Sequence, residues 1–220
     1  MNFECFPRFN KVTDTQAQLF TMNANYSSEN HTSDYKRNEQ QEMLIAPPLD
    51  LSFRKATTMD ELMEKRAQVI RTGKTPARTL KDRYVTSTLW LSNNLLSSME
   101  GLQRLVDRVL DDPIYLSWLD LSFNEISEIG EDIEKFINLK ILYLHGNKIS
   151  NIADTVRLRK LQNLRSLTLH GNPIEDIPCY RSYIVHLLPR LLVLDFSPVI
   201  AAEKKKALPI GFFKMIQPGV

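Results

Sequence analysis

Two histidines occupy the same place in two copies of a tetrapeptide, Leu-His-Gly-Asn, which ends at Asn147 and again at Asn172. Side by side, His145 and His170 could both reach one metal ion, but a protein metal site usually needs three or more side-chain ligands. The same place in the other copies of this pattern, described below, holds a serine: Ser92, Ser122 or Ser197. We therefore predict a structural role for the histidine pair, with no metal site and no bound cofactor.

Catalytic chemistry is not indicated elsewhere in the chain. The sequence lacks the nucleotide-binding loops GxGxxG and Walker A, the GxSxG nucleophile elbow and the HExxH zinc motif. The chain has 7 glycines in 220 residues, which leaves little backbone suited to cradling a phosphate. Cys179 lies where a cap helix is expected to begin, and we expect it to be buried beneath that cap. We therefore predict a non-catalytic protein without a small-molecule substrate.

Composition describes an ordinary globular chain with 43% hydrophobic and 25% charged residues. Its two cysteines, Cys5 and Cys179, are far apart and indicate neither a disulfide framework nor a zinc module. No apolar run is long enough to span a bilayer, and the first residues lack the pattern of a secretory signal. Residues 85–198 hold 11 basic and 14 acidic side chains, which argues against a nucleic-acid-binding core. We expect a cytoplasmic protein.

A repeated pattern, L-x-x-L-x-L-x-x-N-x-L, decides the fold. Four segments match it, with threonine at the first place of the first copy: Thr86 to Leu96, Leu116 to Ile126, Leu139 to Ile149 and Leu164 to Ile174. The asparagines, Asn94, Asn124, Asn147 and Asn172, are 30, 23 and 25 residues apart, close to the interval of leucine-rich repeats. A degenerate fifth copy, Leu191 to Phe196, lacks the asparagine.

In each copy, x-L-x-L-x predicts a short strand whose leucines point inward, and the asparagine pairs backbone groups that the following turn leaves open. One copy cannot bury its apolar face, so the copies must stack into a parallel sheet over a shared core. The predicted core leucines are Leu89, Leu91, Leu119, Leu121, Leu142, Leu144, Leu167 and Leu169. The convex side is closed by isoleucines three residues apart: Ile126, Ile129, Ile149, Ile152, Ile174 and Ile177. The long first interval predicts an amphipathic helix with apolar Met99, Leu102, Leu105, Val106 and Val109.

The remaining strand positions must line the concave face in three rows. The first holds Thr88, Trp118, Ile141, Ser166 and Val193, the second Trp90, Asp120, Tyr143, Thr168 and Asp195, and the third the serines and histidines given above. Exposed aromatic side chains are typical anchors of protein interfaces. We predict that a partner binds at Trp90, Trp118, Asp120, Ile141, Tyr143, His145, Thr168 and His170. The alternative is that one tryptophan is covered by the N-terminal part of the chain itself.

The segments before the repeats differ in character. Residues 1–45 are polar and aperiodic, and we predict a flexible arm that becomes ordered only on a partner. Residues 46–84 begin with the docking strip PPLDLSFR, whose apolar anchors are Leu49, Leu51 and Phe53. A helix over 59–72, capped by Thr58 and with Leu62, Met63, Ala67, Val69 and Ile70 on its apolar side, and a basic linker complete this segment.

The chain after the pre-repeat segments is divided into repeats, cap and tail. Residues 85–178 hold repeats 1–4, residues 179–198 form a C-terminal cap and residues 199–220 a basic tail. The cap begins with a helix around 180–188, followed by a turn at Pro189 and a closing strand. A terminal repeat would otherwise expose its core, so the cap and the docking strip are expected to close the two ends.

The cap carries a further pattern, N-P-[ILV]…Y-R-x-x-[IV]-x-x-L-L-P-x-L-x-x-L-D. Its matching residues are Asn172, Pro173, Tyr180, Arg181, Val185, Leu188, Pro189, Leu191, Leu194 and Asp195. With the repeats, this resembles the protein-phosphatase-regulator-like class of intracellular leucine-rich repeat proteins, which includes the spliceosomal U2 A-prime protein. The resemblance covers residues 47 to about 200. It implies an α/β leucine-rich repeat solenoid with a parallel sheet on the concave face, short helices or 3-10 turns on the convex face, and an N-terminal extension.

The resemblance also implies a function. Members of this class are non-catalytic protein–protein interaction modules that bind phosphatase, ribonucleoprotein or axonemal dynein components. We therefore expect a protein partner and a place as a subunit or adaptor in a larger assembly such as the ciliary axoneme. The alternative is an RNA-associated protein, similar to the U2 A-prime relative, that binds the RNA-binding domain of its partner. Direct contact with nucleic acid or a membrane is expected in neither case.

Overall fold

The repeat strands form one sheet, hydrogen-bonded in chain order, in a computed structural model that describes residues 43, 45–207 and 211. The strands are β1 (Leu49–Asp50), β2 (Thr88–Trp90), β3 (Trp118–Asp120), β4 (Ile141–Tyr143), β5 (Ser166–Thr168), β6 (Val193–Leu194) and β7 (Ser197–Pro198). β1 to β6 are parallel, and β7 pairs antiparallel with β6. The α/β leucine-rich repeat solenoid predicted from the repeat spacing is confirmed.

Short helices return the chain from each strand to the next between β1 and β6. The α-helices are α1 (Asp60–Met63), α2 (Leu102–Val109), α3 (Tyr180–Leu187) and α4 (Ala201–Lys204), and 3-10 helices cover Pro113–Tyr115, Glu131–Lys135, Ile152–Lys160 and Pro173–Asp176. α2 is the predicted amphipathic helix, and its apolar residues are buried. In the part of the chain that the structure describes, no helix is both long and apolar enough to cross a membrane.

The core consists of the predicted leucines. All eight inward positions of β2 to β5 and the turns after them have 0% exposed surface, and Leu49 and Leu51 continue the same columns. Register pairs Leu89 with Leu119, and the next two strands repeat this pairing at Leu142 and Leu167. The predicted convex isoleucines are also buried, except Ile177, which is partly buried.

The repeat asparagines tie neighbouring turns together. Asn147 Nδ2 donates to the carbonyl oxygens of Leu121 (3.0 Å) and Leu144 (2.9 Å), and its Oδ1 accepts from the Ile126 N–H (3.0 Å). Asn124 and Asn172 make the same three bonds one repeat earlier and one repeat later. Each side chain therefore replaces backbone pairing that the turn interrupts.

Replacing Asn147 by alanine should lower the free energy of unfolding by about 1–3 kcal/mol. Leu121 O and Leu144 O each keep a second amide donor, Asn124 or Asn172, whereas the buried Ile126 N–H loses its acceptor. Urea denaturation measures the difference. The control is Asn163→Ala, because the Asn163 amide bonds the carbonyl of Ile137 in an exposed setting (3.2 Å). Equal effects of the two substitutions would contradict the assigned role of Asn147.

β1 adds one further repeat strand in front of the four predicted from the sequence. The letters LDLSF occur at 49–53 and again at 119–123, and Arg54 stands where the asparagine would be. The residue before that place is left-handed throughout: φ is 56° at Phe53, 52° at Phe123 and 68° at Gly146. This turn directs Phe53 outward, so that 57% of it is exposed. The docking strip is confirmed at Leu49 and Leu51, but the prediction of Phe53 as a third anchor is wrong.

The predicted helix over 59–72 is much shorter, because α1 ends at Met63. The segment after it runs along the outer edge of β1, where the Gln68 N–H donates to Asp50 O (2.8 Å) and the Ala67 N–H to Tyr84 Oη (3.1 Å). Edge strands leave backbone groups open, and pairing them outweighs the weak helical preference of this segment. Val69 and Ile70, placed on the apolar side of the helix by the sequence, are exposed.

Residues in front of β1 join the solenoid earlier than the predicted boundary at residue 46. Met43 is buried, and its carbonyl oxygen accepts from the Ser87 N–H and Oγ, both at 3.3 Å. The prediction of a flexible arm over 1–45 otherwise falls on residues 1–42 and 44, outside the described residues. In the basic tail, α4 lies within the described part, while residues 208–210 and 212–220 lie outside it.

Asp195 links the turn after β5 to the cap. Its Oδ1 accepts from the N–H groups of Leu169 (2.7 Å) and His170 (2.9 Å), and its Oδ2 accepts from Tyr180 Oη (3.0 Å). Burial, with the nearby Asp195 charge, raises the pKa of the Tyr180 hydroxyl, which keeps it a donor. Arg181 Nε contacts Glu203 Oε1 (2.6 Å) and Nη1 donates to Leu194 O (3.1 Å). The matched cap residues thus hold the end of the sheet to α3 and α4.

Two expectations for the cap are wrong. Ser197 was assigned to the third concave row, but it lies in β7, which reverses direction and pairs with Leu194. Cys179 was expected to be buried, but it precedes α3 in a left-handed conformation, φ 65°, and is exposed. A left-handed residue at this point turns its side chain away from the packed face of the helix.

Candidate protein-binding surface

The first concave row, and the second as far as Thr168, have the register predicted from the sequence, whereas Asp195 lies beyond the end of β6. Thr88, Trp118, Ile141, Ser166 and Val193 are paired in succession across five strands. The second row pairs Trp90 with Asp120, Tyr143 and Thr168 in the same way. Because the leucines between these rows are committed to the core, the side chains of both rows face the opposite side of the sheet.

A continuous row of rings crosses this face, here called the aromatic row: Trp90, Trp118, Tyr143, Phe196 and His170. Consecutive ring centroids are 5.6, 5.7, 5.4 and 5.5 Å apart, with interplanar angles from 63° to 75°. Edge-to-face contacts of this kind each contribute about 0.5–1.5 kcal/mol beyond area burial. The rings therefore support one another and form a rigid surface.

The eight predicted binding residues divide into two sets by exposure. Trp90, Trp118, Ile141 and His170 are half-buried, which leaves part of each side chain available at the surface. Asp120, Tyr143, His145 and Thr168 are buried. The register brings all eight together, but direct contact by a partner is restricted to the first set, and the other four serve to support it.

Asp120 is the buried acid of the surface. Its Oδ1 accepts from the Ser122 N–H (2.9 Å) and from Ser122 Oγ (2.6 Å). Burial raises the pKa of this carboxyl, while the Ser122 bonds and the charge of Arg71 act in the opposite direction. Ser92 is a further hydroxyl in the same neighbourhood. The turn from Asp120 to Ser122 thus supplies hydrogen bonds to the buried carboxylate from within the chain.

The histidine pair stacks as the repeat spacing predicts. The rings of His145 and His170 are 4.8 Å apart and nearly parallel, at 6°. His145 Nδ1 lies 2.8 Å from Thr168 Oγ1, and His170 Nδ1 lies 3.3 Å from Asp195 Oδ1. Burial, with the neighbouring His170, lowers the pKa of His145 to about 4. Among the described residues, no group of three or more His, Cys, Asp or Glu is placed to hold a metal ion.

Arg71 is a surface residue that the sequence did not single out. Its guanidinium lies 4.6 Å from the Trp90 ring centroid, which is cation–π geometry. Nη1 donates to Ser52 Oγ (3.2 Å) and Ser92 Oγ (3.3 Å), and Nε is 4.0 Å from Asp50 Oδ2. Trp90 is thus covered in part by the chain's own N-terminal region through Arg71, and Asp50 of the docking strip is its neighbour in the sheet.

Two phenylalanines also extend the surface beyond the predicted residues. Phe196 is 51% exposed and contacts Tyr143, His145 and His170. Phe123 is 44% exposed, lies 5.0 Å from the His145 ring and covers Gly146 so closely that an added Cβ there would be 2.7 Å from it. The exposure of Phe123 could have been predicted from its position directly before the repeat asparagine. Phe53 occupies the equivalent position in front of Arg54 and is also exposed.

The chain is similar to known leucine-rich repeat proteins. A family model described as "Leucine-rich repeat" matches residues 80–216. Leucine-rich repeat-containing protein 51 of Bos taurus is 40% identical over 173 residues, covering 78% of this chain and 88% of the relative. Centrosomal protein of 72 kDa of Mus musculus is 37% identical over 91 residues, covering 41% of this chain and 14% of that protein.

A solved structure gives a further likeness. A chain of the Drosophila melanogaster SNF/U2A' complex matches with 27% identity and a TM-score of 0.49, covering 62% of this chain and 75% of that chain. The family assignment rests on the sequence comparisons, since the family model spans more than half of the chain and the Bos taurus relative is matched along most of its length. The chain therefore belongs to the leucine-rich repeat family and, within it, to the family of leucine-rich repeat-containing protein 51.

Proposed function

We propose that this leucine-rich repeat protein is a non-catalytic interaction module that binds a protein partner on its concave face. The observation that carries the proposal is the aromatic row, in which two half-buried tryptophans stand on adjacent strands with ring centroids 5.6 Å apart. Tryptophan is the residue type most enriched at the energetic centres of protein interfaces. A rigid row also binds with little loss of side-chain entropy.

The tryptophans also carry unused hydrogen-bonding capacity. Within the described residues, the indole N–H groups of Trp90 and Trp118 are buried and have no acceptor. A buried donor without an acceptor costs stability, and both N–H groups lie beneath the surface, out of reach of a partner that docks on the rings. The support for the proposal is therefore apolar: it is the part of the Trp90 and Trp118 rings that stays exposed on the concave face.

Replacing Trp118 by alanine should weaken binding of the partner by about 2 kcal/mol while the protein stays folded. Its ring contacts Trp90 and Tyr143, so the substitution opens the middle of the aromatic row. Trp118→Phe keeps a ring without the indole N–H and should lose a smaller part of the affinity. Isothermal titration with the purified partner measures both values, and circular dichroism verifies the fold.

The matched control is Lys135→Ala on the convex side, where the Lys135 side chain is half-exposed and pairs with Asp132 at 2.8 Å. It should leave the affinity unchanged, because a surface ion pair of this kind contributes at most about 1 kcal/mol and only to stability. Full-strength binding by a folded Trp118→Ala variant would place the interface elsewhere. An unfolded variant would mean that Trp118 is part of the core.

We place this module in the cytoplasm, as a subunit or adaptor of a larger assembly such as the ciliary axoneme. The support is the likeness of 91 residues to a protein named as centrosomal. Crosslinking mass spectrometry of the endogenous protein, carried out on ciliated cells and on nuclear extract, tests this location and finds the partner. Tubulin or dynein neighbours are expected. Spliceosomal neighbours would instead favour the RNA-associated alternative.

A further inference from the structure

A groove of about 490 Å³ lies between the 3-10 helix Ile152–Lys160 and the end of α3. Its floor consists of six leucines, each at most 7% exposed, so that only their outermost atoms reach the groove: Leu158, Leu161, Leu164, Leu187, Leu188 and Leu191. None of the aromatic-row residues lines it. The groove is therefore a second surface feature, separate from the concave face.

The helices on its two sides differ in length. The 3-10 helix has nine residues and α3 has eight. A 3-10 helix rises about 2 Å per residue and an α-helix about 1.5 Å, so α3 is the shorter of the two by roughly 6 Å. Beyond its end the chain turns at Pro189 toward β6, and Pro189 and Arg190 of this turn also line the groove.

The rim of the groove is cationic. The described residues that line it include two arginines, Arg159 and Arg190, together with His186, and none of them is Asp or Glu. Both arginines are exposed. The basic tail reaches the same place, since Lys204 Nζ donates to Pro189 O (2.9 Å) and His186 Nε2 lies 2.9 Å from Lys206 O. Positive charge from three parts of the chain thus meets around a leucine floor.

In the described part of the chain, Arg159 and Arg190 lack the carboxylate partners that the nearby Arg157 has. Arg157, two residues before Arg159, contacts both Glu131 (3.3 Å) and Glu134 (3.2 Å). Within the described residues, the Arg159 guanidinium makes neither an ion pair nor a hydrogen bond, and Arg190 makes a single bond to Gln162 O (3.3 Å). Arginine presents a planar fork suited to a carboxylate, and neither fork is occupied by one.

We propose that this groove binds an acidic, leucine-containing segment of a protein partner. Its carboxylates would pair with Arg159 and Arg190, and its apolar side chains would pack over Pro189, which is exposed, and over the outer atoms of Leu188. The charge of the rim selects an acidic segment over a neutral one, and the leucine floor selects apolar side chains between the acids. The site is independent of the proposed concave interface, so one can fail without the other.

The test measures fluorescence anisotropy of short labelled peptides that combine leucine and glutamate in varied spacing, titrated with the full chain. A matched set carries glutamine in place of every glutamate. The best glutamate peptide should bind at least about tenfold more tightly than its glutamine counterpart, and added salt should weaken it. Arg159→Glu/Arg190→Glu should lose at least about tenfold in affinity for the same peptide.

The matched control is Lys74→Glu/Lys81→Glu, which makes the same change in net charge at two exposed lysines outside the groove. It should bind like the wild type, as should Trp118→Ala. Where the charge reversal disturbs the fold, Arg159→Gln/Arg190→Gln gives the same comparison without introducing acids. Equal loss in the lysine control, or equal binding of the glutamine peptides, overturns the proposal. Binding of phosphatidylserine vesicles that depends on both arginines, without peptide binding, overturns it in favour of a lipid surface.

Discussion

Replacing Leu144 by alanine should lower the free energy of unfolding by about 2–5 kcal/mol, the range of buried leucine truncations. Leu144 has 0% exposed surface and lies between Leu121 and Leu169 in one column of the core. The strands on both sides are fixed by backbone bonds, including Leu144 N–H to Thr168 O at 3.0 Å and Leu121 N–H to Tyr143 O at 2.8 Å. The neighbours therefore cannot close over the missing methyl groups, and a cavity remains.

Urea denaturation of the purified chain measures this loss, and the steepness of the transition reports on cooperativity. Each layer of core leucines packs against the layers of both neighbouring repeats, so the array should still unfold in one step. The control is Ile137→Ala, because Ile137 is 51% exposed and its truncation removes little buried surface. A Leu144→Ala protein as stable as the wild type would mean that the leucine columns are not the core.

The repeats could be predicted from the sequence because their information is local and periodic. Leucines two residues apart fix which side of the strand faces inward, and an asparagine at a fixed distance fixes the turn. Repetition then fixes the register, since equivalent positions of identical units must stack. For that reason the pairing of Trp118 with Ile141, and the stacking of His145 on His170, followed from counting residues.

The N-terminal part was harder to predict because its contacts lie between residues distant in sequence and without a common period. Residues 64–68 have helical composition, but an unpaired strand edge competes for their N–H groups, as at Gln68. Arg71 reaches Trp90 through cation–π contact across an irregular segment. The extra strand β1 was within reach of sequence reasoning, because LDLSF at 49–53 repeats the letters at 119–123.

The exposure of individual side chains on the concave face could not be predicted from the sequence either. The sequence shows which side chains share a face, but not how far each is covered by its larger neighbours. Asp120 and Thr168 are short residues between rings or under histidine, and they are buried. Phe196 ends the degenerate last copy at the place of an inward leucine, but its left-handed backbone, φ 59°, turns it onto Tyr143 instead.

Acidification should destabilise the protein between pH 7 and 5 by about 2 kcal/mol through His145 alone. The pKa of His145 is lowered from its ordinary 6.5 to about 4, because the ring is buried and stacked on His170. As the pH falls through 6.5 the unfolded chain gains a proton at this position, while the folded chain stays neutral there down to about 4. Stability contributed by neutral His145 is therefore present above pH 6.5 and is lost as the pH falls toward 4.

Urea midpoints at pH 7, 6 and 5 for the wild type and for His145→Asn measure this contribution. Asparagine cannot titrate in this range but can still bond Thr168 Oγ1, which lies 2.8 Å from His145 Nδ1. The wild-type stability should fall more steeply with acid than that of the variant. The carboxyl of Glu203, whose pKa is lowered to about 2 by its bonds to Arg181, acts in a separate window, because its contribution is lost only below the ordinary pKa of 4.5. Parallel curves for the two proteins would show that His145 becomes protonated without unfolding the chain, so that the stack on His170 tolerates a charge.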